Sequence, residues 1–319
     1  MGVALAMGVR LGFQIPVIAT HDGAVWGDEV MAMGLARALG DAGSFASAEV
    51  YDPVLVHDNL DVQVDLYPVP VVRRTSVPRR IWWVQARVDE DWARCPDFSA
   101  ILGYYHGFFA ASPVLARKLA AWGAPPERIA LLPMSCDTKA FRPVAARPEL
   151  ACSVAFCGNG GIRTRREVAE YLFPLRAHGL AIWGSDWDAF PELAPHVRGP
   201  LHPALVPALY ASAGVVVSVH SPWHRDNDVP TSRLAEALSC GAALVSDSLP
   251  FARERYGDAV AFCDDGAAME RAVAALLADA GARERLAGRG RELMETRLGF
   301  EAMARDLLPL LAGAQDIRP

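Results

Sequence analysis

The sequence predicts an α/β fold made of two doubly wound domains, and three observations lead to this prediction. The chain has 319 residues of which 52% are hydrophobic, enough to fill two cores of ordinary size. An apolar stretch, a glycine-containing loop and a helical pattern follow one another from about residue 9. The same order of elements recurs from about residue 147. Because strand, loop and helix in this order open a helix-covered parallel sheet, each occurrence predicts one domain.

Composition argues against several classes of protein. The net charge of −6, without a large basic cluster, argues against a nucleic-acid-binding face. The six cysteines form no C-x-x-C pair, and the nearest histidine pair, His220 and His224, lacks a zinc-ligand pattern. We therefore expect free thiols in a reducing compartment, no metal and no cofactor.

The N-terminus does not predict a leader or a membrane span. It lacks a basic n-region, and Arg10 interrupts its apolar run. No segment reaches the roughly 20 apolar residues that a spanning helix needs. A soluble, cytoplasmic protein is the expectation, with peripheral membrane contact left open.

The first domain begins with a predicted strand over about 9–18, followed by a loop that opens with His21-Asp22-Gly23. In one interpretation this loop is simply a turn in which Asp22 caps the chain. The next segment is a predicted helix, because its apolar residues recur every four positions. These residues are Met31, Leu35 and Leu39, with Gly40 beyond them. Further extended segments are predicted near 48–51, 54–57, 62–67 and 81–85.

Two later features of the first half are more specific. Trp82 and Trp83 would point to opposite faces of the strand at 81–85, which predicts that one of them is in the core. Ser112 is a helix N-cap, Pro113 occupies the first helical position and Gly123 ends the helix. A strand follows at 129–133.

The second domain opens with a buried strand at 153–157 and the loop Gly158-Asn159-Gly160-Gly161, before a helix starting near Thr164. A glycine-rich loop leading into a helix is typical of phosphate sites, although tight turns look the same. Three arginines stand beside this loop: Arg163, Arg165 and Arg166. Later strands are predicted at 180–183, 215–219 and 260–262, and helices at 205–209, 267–279, 282–296 and 299–312.

The segment from Asp226 to Asp247 carries the most informative functional pattern. Thr231 or Ser232 can serve as the N-cap of a short helix, and Gly241 ends it where a left-handed conformation costs least. A second buried strand follows at 242–245. The unit is therefore strand, loop, short helix and strand.

Arg233 and Glu236 lie three positions apart near the start of this short helix. A helix N-terminus offers unpaired N–H groups and a positive dipole end, and an arginine adds a fork of donors, so this end can hold a phosphate. Glu236, one turn further, can accept hydrogen bonds from two neighbouring hydroxyls such as those of a ribose. A phosphate site beside a diol site describes a nucleotide.

This segment resembles the nucleotide-sugar loop of the retaining GT-B glycosyltransferases, the group called glycosyl transferases group 1 (GT4-like). In that family an acidic residue, seven intervening residues and a glutamate precede a small-residue Cys-Gly step. Asp228, Glu236 and Ser239-Cys240-Gly241 stand at these positions. The Arg233-x-x-Glu236 spacing is more similar to the spore-maturation-protein-like branch. This chain departs from the pattern in its aspartate and in Val229-Pro230-Thr231-Ser232, which replaces a glycine-rich loop.

The end of the first half resembles the same family. There a serine-headed helix, a glycine and a strand precede an Asp and a Phe-x-Pro step, as in Asp137 and Phe141-Arg142-Pro143. The resemblance implies two Rossmann-like domains facing a central cleft. Residues 1–146 would bind the acceptor, 147–298 the nucleotide sugar, and 299–319 would form a terminal helix crossing back to the first domain.

The resemblance also implies roles for individual residues. The implied catalytic residues are Asp228 at the donor sugar, Arg233 at the phosphates, and His21. The implied donor-binding residues are Glu236, Arg163, Arg166, Ser232, Thr231, Gly199 and Leu201, with Arg163 preferred to Arg166. The implied acceptor-binding residues are Asp22, Gly23 and His106. The alternative readings are an ordinary loop aspartate for Asp228 and a surface helix carboxylate for Glu236.

The hypothesis is therefore transfer of a hexose-type sugar from a nucleoside diphosphate sugar to a small-molecule, glycan or protein acceptor. Retention and independence from metal are implied by the resemblance, and catalysis would be chiefly electrostatic. No Ser-His-Asp order, Cys-His pair or P-loop motif favours a hydrolase or an NTPase. A nucleotide-sugar epimerase or phosphorylase of the same fold, and a non-catalytic nucleotide-binding protein, remain as alternatives.

Overall fold

The computed structural model describes residues 8–15, 27–43, 45–51, 59–66, 76–85, 88 and 97–312. The chain divides into two compact units. The first contains the residues up to Asp137 together with those from Phe300 onward, and the second runs from Thr138 to Gly299. This division falls earlier in the chain than the boundary after residue 146 that the sequence suggested.

Within the described residues, the first unit is built on six parallel strands in the order β2-β1-β3-β4-β5-β6. The strands are β1 (Arg10–Gln14), β2 (Ser47–Tyr51), β3 (Val62–Asp65), β4 (Arg79–Val84), β5 (Gly107–Ala110) and β6 (Ile129–Leu131). The helices are α1 (Gly27–Asp41), α2 (Phe98–Tyr104) and α3 (Pro113–Ala121). The predicted helix at 31–39 is therefore confirmed, and the strand predicted at 62–67 is confirmed over 62–65. The strand predicted at 54–57 lies outside the described residues.

Both tryptophans of β4 are in the core, whereas the sequence predicted this for one of them. Trp82 is 1% exposed and Trp83 is 0% exposed. Strands of a parallel sheet are covered on both faces, so both directions along β4 lead into packed side chains. Trp83 satisfies its polar atom by donating from Nε1 to the Leu132 carbonyl oxygen at 2.9 Å.

The residues predicted to begin and end α3 do so in the structure. The Ser112 hydroxyl accepts a hydrogen bond from Leu115 N at 3.0 Å, and Pro113 is the first helical residue. Gly123 follows the helix with φ of 106°, a conformation that glycine adopts most easily.

Within the second unit, five parallel strands follow the order β11-β10-β9-β7-β8. They are β7 (Cys152–Cys157), β8 (Leu180–Trp183), β9 (Ala213–Ser218), β10 (Leu244–Asp247) and β11 (Ala261–Cys263). The helices are α4 (Arg165–Glu167), α5 (Val206–Ser212), α6 (Pro222–Asp226), α7 (Ser232–Ser239), α8 (Pro250–Tyr256), α9 (Gly266–Ala278) and α10 (Ala280–Leu293). π-helical turns at Val168–Leu172 and Met294–Leu298 continue α4 and α10.

The chain ends with α11 (Phe300–Ala312), which packs on α1 in the first unit. Phe300 N donates to the Cys136 carbonyl oxygen at 3.0 Å, and the Phe300 ring meets Trp83 edge-on at 6.4 Å between centroids. Gly34 on α1 lies close to both segments, because a Cβ there would lie 2.9 Å from Asp137 Cβ and 3.4 Å from Phe300 Cδ2.

Both sheets have a doubly wound order. The second strand of each unit lies on one side of its first strand, and the later strands lie on the other side. The reversal lies between β1 and β3 in the first unit and between β7 and β9 in the second. In folds of this kind, ligands bind outside the carboxyl ends of the strands at that point.

Candidate functional site

Polar and charged side chains of the second unit gather at the carboxyl ends of β7 and β9, the point where the strand order reverses. The chain leaves β7 through Gly158 and leaves β9 through His220 and Ser221. His220 and Ser221 are buried although both are polar, at 0% and 4% exposure. Buried polar groups at the carboxyl edge of a doubly wound sheet indicate a ligand site.

Arg163 bridges the two strand ends. Its Nη1 donates to the Val219 carbonyl oxygen at 2.8 Å, and its Nε donates to the Asn159 carbonyl oxygen at 3.3 Å. Its guanidinium also lies over the Phe156 ring, 4.9 Å from the centroid. These contacts hold the arginine at the point where β7 and β9 diverge, without a carboxylate hydrogen-bonded to it in the described residues.

Arg233 lies over the same Phe156 ring, 5.5 Å from the centroid. Its Nη1 atom is buried and has no hydrogen-bond partner in the part of the chain that the structure describes. Burial and the nearby charge of Arg233 lower the pKa of Arg163. Two cations beside one ring, one of them with an unsatisfied donor, form a site suited to an anion.

The start of α7 adds further donors to this pair. Thr231, and not Ser232, is the N-cap, and its side chain makes no capping hydrogen bond. Its buried Oγ1 has no partner among the described residues. An uncapped helix start leaves backbone N–H groups available to a ligand.

Glu236 lies one turn into α7. The Ser232 hydroxyl hydrogen-bonds its carboxylate, and Arg233 acts on it electrostatically. Burial raises the pKa of Glu236, while the Ser232 hydrogen bond and the Arg233 charge lower it, and burial dominates. The structure thus brings together Arg163, Arg233, Ser232 and Glu236, four of the residues that the sequence predicts for donor binding or catalysis.

A buried network beneath the site was not predicted from the sequence. Asp247, at the end of β10, accepts from His220 Nδ1 at 2.7 Å and pairs with Arg225 Nη2 at 2.9 Å. On the other side of the ring, His220 Nε2 accepts from Thr231 N at 3.4 Å. The network connects β9, β10 and α6 to the start of α7. One signal in the sequence could have indicated it: Asp247 is a charged residue at the end of an otherwise apolar strand.

A second histidine lies next to this network. His224 Nδ1 is 2.6 Å from the Ser221 hydroxyl oxygen. Burial, and then the charges of His220, Arg233 and Arg163, lower the pKa of His224 to about 3.

The glycines of the loop at 158–161 have a packing role in the structure, whereas the sequence predicted a phosphate site there. The helix that follows it, α4, has three residues, and a capping box between Thr164 and Glu167 occupies its start, with the Glu167 carboxylate accepting from Thr164 N at 2.9 Å. A Cβ on Gly160 would lie 2.3 Å from the Asp186 carbonyl oxygen, so glycine is required there by packing. Gly158 instead makes room for Arg233, whose Nη2 lies 2.9 Å from an added Cβ.

The chain is similar to known proteins in part of its sequence and in its fold. Residues 163–309 match the family model described as "Glycosyl transferase-like". Sucrose-phosphate synthase from Thermosynechococcus elongatus superposes with a TM-score of 0.67 at 15% identity, over 96% of this chain and 99% of that one. The Anabaena protein HepE, in complex with UDP and glucose, superposes with a TM-score of 0.65 at 11% identity, over 95% and 99% of the two chains.

The chain has the GT-B fold. A further neighbour, T4 phage BGT in complex with its UDP-glucose substrate, superposes with a TM-score of 0.62 at 11% identity, over 97% of this chain and 100% of that one. No curated protein sequence matches. The predicted fold class is confirmed, whereas the assignment to the GT4-like group and to the spore-maturation-protein-like branch stays a prediction.

The carboxylate of Asp228 contacts the start of α8, which the sequence did not predict. Both of its carboxylate oxygens accept from Phe251 N at 3.1 Å, at the start of α8. Its backbone is left-handed, with φ of 51°. The carboxylate therefore caps a helix, and its predicted role at the donor sugar stays a prediction.

The other predicted residues lie in different places. Arg166 is exposed in the first turn of α4. Gly199 has φ of 82°, and its carbonyl accepts from Gly184 N at 2.9 Å beside the end of β8, with Leu201 half-buried two positions on. Loop residues His21, Asp22 and Gly23 lie outside the described residues.

His106 departs from the expected location of an acceptor site. It precedes β5 and therefore lies at the amino-terminal edge of the first sheet, where its Nδ1 accepts from Arg80 N at 3.2 Å. Ligand sites of doubly wound sheets lie at the opposite edge. His106 is therefore not part of the proposed site.

The described residues contain neither a cluster suited to a metal ion nor a helix suited to span a membrane. No three or more His, Cys, Asp or Glu side chains come together there in an arrangement that could hold a metal ion. No helix in the described ranges is long and apolar enough to cross a membrane.

Proposed function

We propose that this protein is a glycosyltransferase that binds a nucleoside diphosphate sugar at the strand ends of its second unit. The observation that carries the proposal is the pair of guanidinium groups of Arg163 and Arg233 at the Phe156 ring, one with a buried donor that has no partner in the described chain. Two adjacent cations repel each other unless an anion lies beside them. A diphosphate supplies the negative charge that both require.

The neighbouring groups fit the rest of a nucleotide. Glu236 follows Arg233 by one turn of α7, so a ribose attached to a diphosphate at Arg233 would reach the carboxylate. Ser232 orients that carboxylate through its hydroxyl. The turn at Gly199 and Leu201 would contact the base, and Thr231 Oγ1 would be a further donor to the phosphates.

The chemistry follows from this arrangement. The bond between the anomeric carbon and the diphosphate oxygen breaks, and its electron pair moves onto the diphosphate. Arg163, Arg233 and the start of α7 stabilise the developing charge, which is electrostatic catalysis by preorganised donors. The oxygen of an acceptor hydroxyl forms the new bond to the anomeric carbon, and its proton goes to the departing diphosphate. Retention of configuration and independence from metal belong to this proposal.

The comparisons support the proposal at two levels. The family model described as "Glycosyl transferase-like" covers 163–309, which includes Arg163, Arg233 and Glu236. Two of the proteins that share the fold were solved with UDP-glucose, or with UDP and glucose.

The test is to incubate the purified protein with a panel of nucleoside diphosphate sugars and candidate acceptors, and to follow nucleoside diphosphate release. Release that depends on an acceptor supports a glycosyltransferase. Release that depends on inorganic phosphate indicates a phosphorylase, and an isomerised donor indicates an epimerase. Binding of a nucleotide without turnover indicates a binding protein, and if no nucleoside diphosphate raises the melting temperature the proposal is wrong.

A further inference from the structure

We infer that His224 is a third donor of the anion site, and that binding of a diphosphate there is coupled to uptake of a proton by its imidazole. The inference rests on the proposed function, because it assigns one more residue to the same diphosphate. His224 lies on α6, directly after β9, and its side chain is partly exposed and so open to a ligand.

The hydrogen bond to Ser221 determines which ring nitrogen carries the proton. The Ser221 residue is 4% exposed, and His224 Nδ1, at 2.6 Å, is the acceptor that its hydroxyl reaches among the described residues. A buried hydroxyl donates to such an acceptor, because leaving its proton unpaired is costly. Nδ1 therefore accepts, and the neutral ring carries its proton on Nε2.

The adjacent histidine has the opposite tautomer for a similar reason. His220 Nε2 accepts from Thr231 N, and its Nδ1 donates to Asp247. His220 is thus fully occupied within the protein, whereas His224 Nε2 has no hydrogen-bond partner in the described part of the chain. Of the two imidazoles, His224 has a donor left for a ligand.

Backbone hydrogen bonds order the short helix that carries His224, and the Ser221 hydroxyl and the Trp223 ring contact its imidazole. Val229 N donates to the His224 carbonyl oxygen at 2.9 Å, and the Asn227 amide donates to the Trp223 carbonyl oxygen at 2.7 Å. The Trp223 ring also meets His224 edge-on at 5.4 Å between centroids. These contacts fix a short helix of five residues that would otherwise be marginal.

The charges around His224 explain why a proton would bind together with the anion. The groups that act on the ring are His220 after β9, Asp247 on β10, Arg233 on α7 and Arg163 after β7. Burial and the cationic neighbours lower the pKa of His224 to about 3, so the free protein holds the ring neutral. A diphosphate reverses the local field and favours imidazolium. The added proton goes to Nδ1, and the Ser221 hydroxyl, which can donate or accept, then turns to accept from it. Binding should therefore tighten as the pH falls.

The experiment is isothermal titration calorimetry with UDP and, separately, with inorganic pyrophosphate. At about pH 6 the enthalpy is measured in buffers of different ionisation enthalpy, which gives the number of protons taken up. The variants are His224→Ala and His224→Gln, since glutamine can keep an N–H donor but cannot titrate. His178→Gln is the control, because His178 lies before β8, at the amino-terminal edge, and pairs with Glu270.

We expect His224→Ala to weaken both ligands about tenfold, the usual loss for one hydrogen bond to a charged group. His224→Gln should retain most of the affinity but lose the proton uptake, and His178→Gln should behave as the wild type. Spectra of protein labelled with ¹⁵N in histidine should show the Nε2–H tautomer for His224 and the Nδ1–H tautomer for His220.

The outcomes separate this inference from the proposed function. If both ligands bind the wild type and His224→Ala changes neither affinity nor proton uptake, the inference is wrong and the proposed function stands. If pyrophosphate binding depends on His224 but UDP binds no more tightly than pyrophosphate, the anion site stands without the nucleotide. If neither ligand binds, both are overturned.

Discussion

His220 Nδ1 lies 2.7 Å from Asp247 Oδ1, and neither side chain is exposed to solvent. The same carboxylate oxygen accepts from the His220 backbone N–H at 3.0 Å, while Arg225 pairs with the other oxygen. Through Thr231 N, the histidine also holds the residue at which α7 begins. The position of the proposed phosphate site therefore depends on this buried ion network, which holds the start of α7.

Removing the charge of Asp247 should destabilise the second unit. We expect Asp247→Asn to lower the free energy of unfolding by about 2–4 kcal/mol, since it leaves Arg225 without its buried carboxylate. Urea unfolding followed by circular dichroism measures this, with Asp264→Asn, an 81% exposed partner of Arg253, as the control. A loss equal to that of the control would contradict the role of the network.

The same network predicts a pH dependence. Burial alone would raise the pKa of Asp247, but the His220 and Arg225 interactions outweigh it and hold the pKa below its usual value. The folded-state pKa is thus below the unfolded one, so the stabilisation is present above about pH 4 and is lost as the pH falls further. Asp247→Asn should be less sensitive to acid than the wild type, and an identical acid transition would count against this assignment.

Asp65 in the first unit should show the opposite behaviour. Burial raises its pKa to about 7, although Gln63 donates to Oδ1 at 2.7 Å. The folded state keeps the proton between about pH 4 and pH 7 while the unfolded chain releases it, so the free energy of unfolding falls as the pH rises. Asp65→Asn keeps the acceptor for Gln63 and should stabilise the protein at about pH 8 by roughly 2–4 kcal/mol.

The control for this prediction is Asp61→Asn, which changes a carboxylate that is 42% exposed and pairs with Arg10. Urea unfolding at several pH values compares the two variants with the wild type. The assignment fails if Asp65→Asn and the wild type lose stability in parallel as the pH rises.

Much of the second unit could be predicted from the sequence, because its elements have local signals. Short β-branched runs such as 215–219 favour buried strands, and Gly241 has the positive φ, 71°, that its place after α7 predicts. Arg233 and Glu236 share one helical turn, so their proximity follows from spacing alone. The fold class followed from the repetition of these units.

The rest of the site depends on contacts between residues distant in sequence. Asp247 meets His220 because β10 pairs with β9, and Arg163 meets Val219 because β7 pairs with β9. Neither pairing can be read from one segment. The α2 and β5 segment at 98–110 was also missed, because its short apolar stretches carry no clear period.

Arg233 and Arg225 should respond differently to truncation. Arg233 has a buried nitrogen without a partner in the described residues, so Arg233→Ala should leave the free energy of unfolding unchanged or slightly higher. It should weaken UDP and pyrophosphate by about tenfold or more. Arg225→Ala should instead destabilise the fold, because it breaks the pair with Asp247. Calorimetry and urea unfolding on both variants decide this, and equal loss of stability would make Arg233 a structural arginine.

Glu236 should matter for the nucleoside and not for the phosphates. Glu236→Ala removes the acceptor proposed for the ribose hydroxyls, so UDP should bind roughly tenfold more weakly while pyrophosphate affinity is retained or increased. Glu236→Gln, which keeps one oxygen acceptor, should lie between the wild type and Glu236→Ala. If the affinities for both ligands change together, Glu236 acts on the anion site through Arg233 and not on the ribose.

Variants of Asp228 distinguish a structural role of its carboxylate from a catalytic one. Its carboxylate accepts from Phe251 N, and its φ of 51° favours Asp, Asn or Gly over Ala. We expect Asp228→Ala to cost about 1–2 kcal/mol of stability through the lost cap and the backbone strain, and Asp228→Asn much less. Turnover per folded molecule should be nearly unchanged in Asp228→Asn if the residue only caps α8. A large loss of turnover in this variant, at unchanged stability, would show instead that the carboxylate charge acts on the donor sugar.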